Sequence, residues 1–259
     1  MSATLLLVVA LALLVGVTLG TLGGGGGILT LPLLLYVAHF DQHAAIVGSL
    51  LLVGATSAVS FVMHRASVRY AAGLPFAAAS MVGSYVGGQV SHAVPPRALL
   101  LGFCAAMLGA GVAMLRKREA ARPADDTSIP SPPRPRYALL ALLALLGVGV
   151  GLLSGLVGAG GGFLIVPAFS LFAGLGMREA IATSLFVLML QATAALAGHA
   201  AHTPMPWSVA LPATAAAIVG SLAGSRLGKR APPETLRRAF AIMILAVATL
   251  MLLKSFVLS

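Results

Sequence analysis

The chain has 259 residues, 59% of them hydrophobic and 8% charged, with a mean hydropathy of +1.03, a balance that excludes a soluble fold. The net charge of +10 does not imply nucleic acid: the sixteen Lys and Arg lie between apolar stretches, not on one face of a domain, and they read as membrane topology signals. The six acids, Asp41, Glu119, Asp125, Asp126, Glu179 and Glu234, each sit in or beside a loop. The single cysteine, Cys104, lies in mid-stretch, which excludes an intrachain disulfide or a cysteine metal site and implies a small core residue. The first twenty residues have no basic n-region or cleavage site, so they are expected to be mature protein.

In chain order, apolar segments occupy 4–38, 44–63, 73–93 and 98–115, then 137–173, 180–198, 207–225 and 239–256. The last three of each group suit single spans, since a bilayer core of about 30 Å needs ~20 helical residues. Residues 4–38 as one helix would run about 52 Å at ~1.5 Å per residue, and glycine disfavours a helix interior. Two shorter helices are therefore expected, 4–21 and 27–38, broken at Gly23–Gly27. The same reading gives 137–156 and 162–173, broken at Gly158–Gly162.

The segments repeat. A shift of 135 residues lays GVTLGTLGGGGGILTLP (16–32) on GLLSGLVGAGGGFLIVP (151–167) and matches Ser49 to Ser184 and His64 to His199. After a two-residue insertion, Pro75 matches Pro212, Gly83 matches Gly220 and Phe103 matches Phe240. The sequence thus divides into a first transmembrane repeat (1–117), a polar Pro-rich cytoplasmic linker (118–135) and a second repeat (136–259).

If each broken segment folds back as a hairpin, the repeats are inverted and fourteen of the sixteen Lys and Arg lie on the linker side. A single crossing would leave nine against seven. The positive-inside rule prefers the hairpin. The expected fold is an all-α polytopic membrane protein of two inverted halves, each with a Gly-broken first helix and three spans, a recurrent transporter design.

The paired motifs GxxGGGGGxLxxP and GLxGAGGGFLIVP, one opening each half, resemble the signature of the sulfite exporter TauE/SafE family. The resemblance covers nearly the whole chain and implies transport of small sulfur-containing anions such as sulfite, thiosulfate or organosulfonates. The residues agree with that implication on their own terms. A helix that begins inside a membrane protein offers unpaired N–H groups and a positive dipole end, and irregular backbone at that depth is tolerated where it lines a cavity or packs on protein.

Gly23, Gly24, Gly25, Gly26 and Gly27, with Gly158, Gly160, Gly161 and Gly162, are the candidate anion cradle; close packing is the competing role. Gly147, Gly151 and Gly155, and the pairs Gly83/Gly87 and Gly220/Gly224, have the four-residue spacing of packing glycines. Thr30, Ser49, Thr183 and Ser184 can donate to an oxyanion or to their own preceding carbonyls; Thr56 and Gln191 are weaker candidates of the same kind.

His64 and His199 can serve proton coupling or face headgroups. His39, His43, His92 and His202 read as loop or interface residues. Arg178 and Glu179 open a helix, where they can pair locally, and a surface role is expected rather than a binding one. The cluster Arg226, Lys229, Arg230, Arg237 and Arg238 fits anionic lipid, or the gathering of anions at a pore mouth.

No phosphate-binding loop, HExxH or GxSxG motif is present, so neither an enzyme nor a bound cofactor is expected. The expected partners are a small anionic substrate and the lipid bilayer of a bacterial inner membrane, with no nucleic acid; a homo-oligomer stays open. An anion channel and a non-transporting anchor subunit are the competing functions.

Overall fold

A computed structural model describes residues 3–24, 26–90, 96–116, 136–157, 162–199 and 207–257. In the first half α1 (Ala3–Leu22) is followed by α2 (Gly27–Pro32), α3 (Gln42–His64), α4 (Tyr70–Val90) and α5 (Pro96–Arg116). The second half repeats the series as α6 (Arg136–Val157), α7 (Gly162–Pro167), α8 (Met177–His199), α9 (Trp207–Arg230) and α10 (Pro233–Val257). Every regular element among the described residues is helical. Six of these helices, α1, α3, α6, α8, α9 and α10, are long and apolar enough to cross a membrane.

The distribution of side chains suits lipid. Leu14, Val82, Leu145, Val219 and Leu250 point outward, while Ser49, Thr56, Ser60, Ser80, Ser84, Ser184, Gln191 and Ser221 are buried. In hydrocarbon a leucine gains nothing by hiding, so helices associate through small residues and polar contacts instead. Cys104 is buried, the small core residue its sequence position implies.

α2 and α7 each end on a proline and continue as a π-helical turn, Leu33–Val37 and Ala168–Phe172. Proline brings no N–H, so the carbonyl four residues earlier loses its helical donor. The wide turn follows directly, with Ala38 N–H donating to Leu33 O at 3.1 Å and Phe40 N–H to Leu34 O at 3.0 Å.

Two seams and a centre hold the bundle together. In the first seam α1 lies parallel to α9: a Cβ on Gly16 would fall on the carbonyl of Ala217, one on Gly20 on that of Ser221, and one on Gly228 would come 3.0 Å from Thr21 O. In the second, α4 lies parallel to α6. A Cβ on Gly147 would come 2.7 Å from Phe76 O, and those on Gly151 and Gly155 would fall on the carbonyls of Ser80 and Ser84. The four-residue spacing brings backbone against backbone, as expected of it.

At the centre α3 and α8 cross antiparallel, with Gly54 against Ala192 and Phe61 against Phe186. α8 is the most enclosed of the membrane-length helices, with 67% of its apolar window buried. Thr21, His64, Arg178 and Lys229 line one cavity. The C-terminal ends of α1, α3 and α9 and the start of α8 therefore share one end of the bundle.

Because α1 and α3 both finish at that end, the chain between them must turn back. It does so at Gly26, where a Cβ would stand 2.6 Å from Val15 O and 2.8 Å from Leu19 N. α2 with its π turn, six residues and five, reaches at most about 16 Å at ~1.5 Å per residue, about half of a bilayer core.

Candidate functional site

The first break begins with a helix stop. Gly23 has φ +79, the left-handed region that suits glycine after a helix end, and its N–H closes α1 by donating to Leu19 O at 2.9 Å. Beside it stands α8: a Cβ on Gly23 would lie 2.9 Å from both Ile181 Cγ2 and Ser184 Oγ. Gly24 then packs its backbone on the backbone of Gly162, the first residue of α7. A Cβ on Gly162 would in turn lie 2.6 Å from Leu188 Cδ1. The breaks of the two halves thus meet each other and the central helix.

The structure brings Gly23, Gly24, Gly162 and Ser184 together. Gly26 and Thr30 adjoin them along α2, Thr30 Oγ1 donating to Gly26 O at 3.2 Å, and Gly27 is the buried first residue of α2. No side chain caps the α2 N-terminus at Gly26, so its first N–H groups are left to backbone or to a guest. Gly25, Gly158, Gly160 and Gly161 lie outside the described residues. Around Gly24, Gly26 and Gly162 the neighbouring atoms are protein, so at these three positions the glycines act in close packing.

The hydroxyls are buried and their hydrogens are committed. Ser49 donates to Ile46 O and Ser184 to Ile181 O, both at 2.8 Å, the intrahelical alternative for such residues. What they can offer a guest is lone pairs. Thr183 faces away from the breaks: its Oγ1 accepts from Arg69 N–H at 3.1 Å, and its methyl would lie 3.0 Å from a Cβ on Gly73.

Below Ser184 the cavity opens. It holds about 210 Å³ and is lined by Thr21, His64, Arg178, Ile181, Gly228 and Lys229 among others, so it shares Ile181 with the Gly23 break. Arg178 does not pair with its neighbour Glu179. Its Nη2 donates to Lys229 O and Ala231 O, each at 3.3 Å, which caps the C-terminal end of α9. Glu179 pairs instead with Arg69, whose Nε donates to Oε1 at 2.8 Å. Glu234 is held by Arg237 and Arg238 on α10.

Among the described residues, the acids near the cavity, Glu179 and Glu234, are thereby taken by other arginines, and Arg178 and Lys229 have no carboxylate partner. The sequence hid this arrangement, because Arg178 and its two carbonyl partners lie more than fifty residues apart.

His64 lines the same cavity, with Nδ1 at 3.0 Å from Ser60 O. His199 ends α8, at the opposite end of that helix from the cavity, so the two histidines do not share a site. Of the remaining histidines, His39 lies in the exposed loop before α3 and His43 in the first turn of that helix; His92 and His202 fall outside the described residues. Within the bundle the one charged side chain in the buried set of described residues is Arg237, 9% exposed and paired with Glu234.

Apolar helices that bury serines, and glycine breaks of the two halves that meet each other beside the central α8, define a multi-pass membrane transporter. The chain belongs to the sulfite exporter TauE/SafE family, whose profile matches residues 8–251. A probable membrane transporter protein of Xylella fastidiosa strain 9a5c is 32% identical over 247 residues, covering 93% of this chain and 92% of its own. The probable membrane transporter protein YunE of Bacillus subtilis strain 168 is 26% identical over 264 residues, covering 93% and 94%. No solved structure gives a significant match.

Proposed function

We propose that this protein is a secondary carrier or facilitator of small sulfur-containing anions, sulfite, thiosulfate or organosulfonates among them, in a bacterial inner membrane. The observation that carries the reading is that the cavity holding Arg178 and Lys229 and the meeting point of the two helix breaks share Ile181. Arg178 and Lys229 raise the local concentration of anions at the cavity. Beyond it, the N-termini of α2 and α7, each equivalent to about half a positive charge, and the backbone N–H groups of the breaks would hold one small anion near Gly23–Gly27 and Gly158–Gly162. A site with dipoles and no fixed cation favours a monoanion, or a dianion that travels with a proton or cation.

The antiparallel α3 and α8 support an inverted-repeat topology, since equivalent helices of parallel repeats would run the same way. With the charge count, this reading has the cavity and the linker on the cytoplasmic side. Alternating access would then rock the seams α1–α9 and α4–α6 against the α3–α8 centre.

The test is uptake of labelled sulfite and thiosulfate into proteoliposomes. Saturable flux with counter-transport is expected. Flux that rises linearly with concentration and gives no counterflow would mean a channel, and no flux of any sulfur anion would overturn the reading.

A further inference from the structure

Gln191 lies in α8, 2% exposed, and among the described residues neither its Nε2 nor its Oε1 has a hydrogen-bond partner. An amide carries two donors and one acceptor, and buried polar groups are almost always satisfied. Its place in the fold gives the vacancy a meaning. Ser184, Leu188 and Gln191 stand at i, i+4 and i+7, on one face of α8; the first meets Gly23 and the second meets Gly162. Gln191 is the next polar group on the face that touches both helix breaks. It also lies one residue from the crossing with α3, where Ala192 meets Gly54.

The equivalent position on α3 is different. Thr56 is as deeply buried, yet its hydroxyl is spent on Leu52 O at 2.7 Å and Val53 O at 3.1 Å. On the following residue of α3, Ser57 Oγ is buried without a partner too. Among the described residues, α3 and α8 therefore bury one hydroxyl and one amide in need of hydrogen bonds, and the one charged side chain in the buried set, Arg237, is paired with Glu234 on α10.

We propose that Gln191 is a substrate-contacting, specificity-determining residue, whose Nε2 donates to the oxygens of a small oxyanion lodged at the α3–α8 crossing next to the helix breaks. This rests on the anion-transport reading above. One Nε2–H beside Oε1 donates to an oxygen of the anion while Oε1 accepts from an anion that keeps one hydroxyl, such as hydrogen sulfite, so that amide and guest pair through two adjacent hydrogen bonds. A chloride offers nothing to Oε1, so the amide selects oxyanions over halides.

The test uses the full-length protein in detergent and in proteoliposomes, with sulfite, thiosulfate and sulfoacetate as probes and chloride as control. Wild type is expected to melt higher with at least one probe and to transport it. Gln191→Leu, which keeps the volume and removes the amide, should lose affinity for that probe at least tenfold while melting without ligand at or above the wild-type temperature. Gln191→Met should behave alike, and Gln191→Glu should not bind at all.

A Gln191→Leu protein that binds within twofold of wild type overturns the proposal and leaves the transport reading standing. So does a steep fall in the ligand-free melting temperature of both apolar variants, since the amide would then be serving a partner inside the protein. If no sulfur anion stabilises or crosses with the wild type, the transport reading falls and this proposal with it.

Discussion

The glycines of the α1–α9 seam and those of the first break differ in one physical respect. Seam glycines stay helical and let two backbones close on each other along a full helix length, Gly16 on Ala217 and Gly20 on Ser221. At the break the helix itself stops: Gly23 takes φ +79, and Gly24 packs on the backbone of the other half. The same residue thus holds the bundle together in one place and interrupts it in another. Substitution should destroy the fold at the first and function at the second.

The largest effect is expected at the seams. Gly151→Leu or Gly220→Leu would drive a side chain into the backbone of Ser80 or Leu13, beyond the ~1–3 kcal/mol of ordinary overpacking. Folded protein should disappear from size-exclusion profiles. Recovery of either variant with normal stability would erase the distinction between seam and break.

Gly23→Ala comes next. A left-handed alanine costs roughly 1–2 kcal/mol, and its methyl would press on Ser184 and Ile181, so transport should fall about tenfold while much of the protein stays folded. Gly26→Val is a poorer probe than its position in the glycine run implies, because the obstacle is the α1 backbone at Val15 and Leu19 and the fold would suffer as well.

Charge at the cavity tests the comparison from outside. Lys229→Ala with Arg178→Gln should raise the KM for anion several-fold at low salt, with a smaller change at high salt where exposed charges are screened. Initial-rate transport at two ionic strengths measures it.

The smallest effect is expected where glycine does neither job. Gly149 faces open space, so Gly149→Ala should leave transport unchanged and raise the melting temperature slightly, since alanine is the better helix former by about 1 kcal/mol. A clear loss of transport would show that even this glycine takes part in a moving contact.

The helix breaks were legible because their cause is local. A 35-residue apolar stretch is too long for one span and glycine interrupts it, so the expected ends at 21 and 27 fall within one residue of the observed Leu22 and Gly27. The π turns after Pro32 and Pro167 have a weaker sequence signal, a proline at the end of a short buried helix. Partners distant in sequence stayed hidden. Nothing near Arg178 announces the carbonyl of Ala231, and nothing near Glu179 announces Arg69. For Ser49 and Ser184 the sequence left two roles open, and the structure assigns their hydrogens to Ile46 and Ile181.

The parallel seams also set a timetable for biosynthesis. α1 leaves the ribosome well before the helix that covers its small-residue face, α9, which lies about two hundred residues later. At roughly 5–20 residues per second, α1 waits for some tens of seconds with Gly16 and Gly20 uncovered in the bilayer or the insertion machinery. Neither half can complete itself, since the first helix of each pairs with the fourth helix of the other. A chain stalled in the linker would therefore carry two unmatched grooves, along α1 and α4, ready for a quality-control protease or for the wrong neighbour.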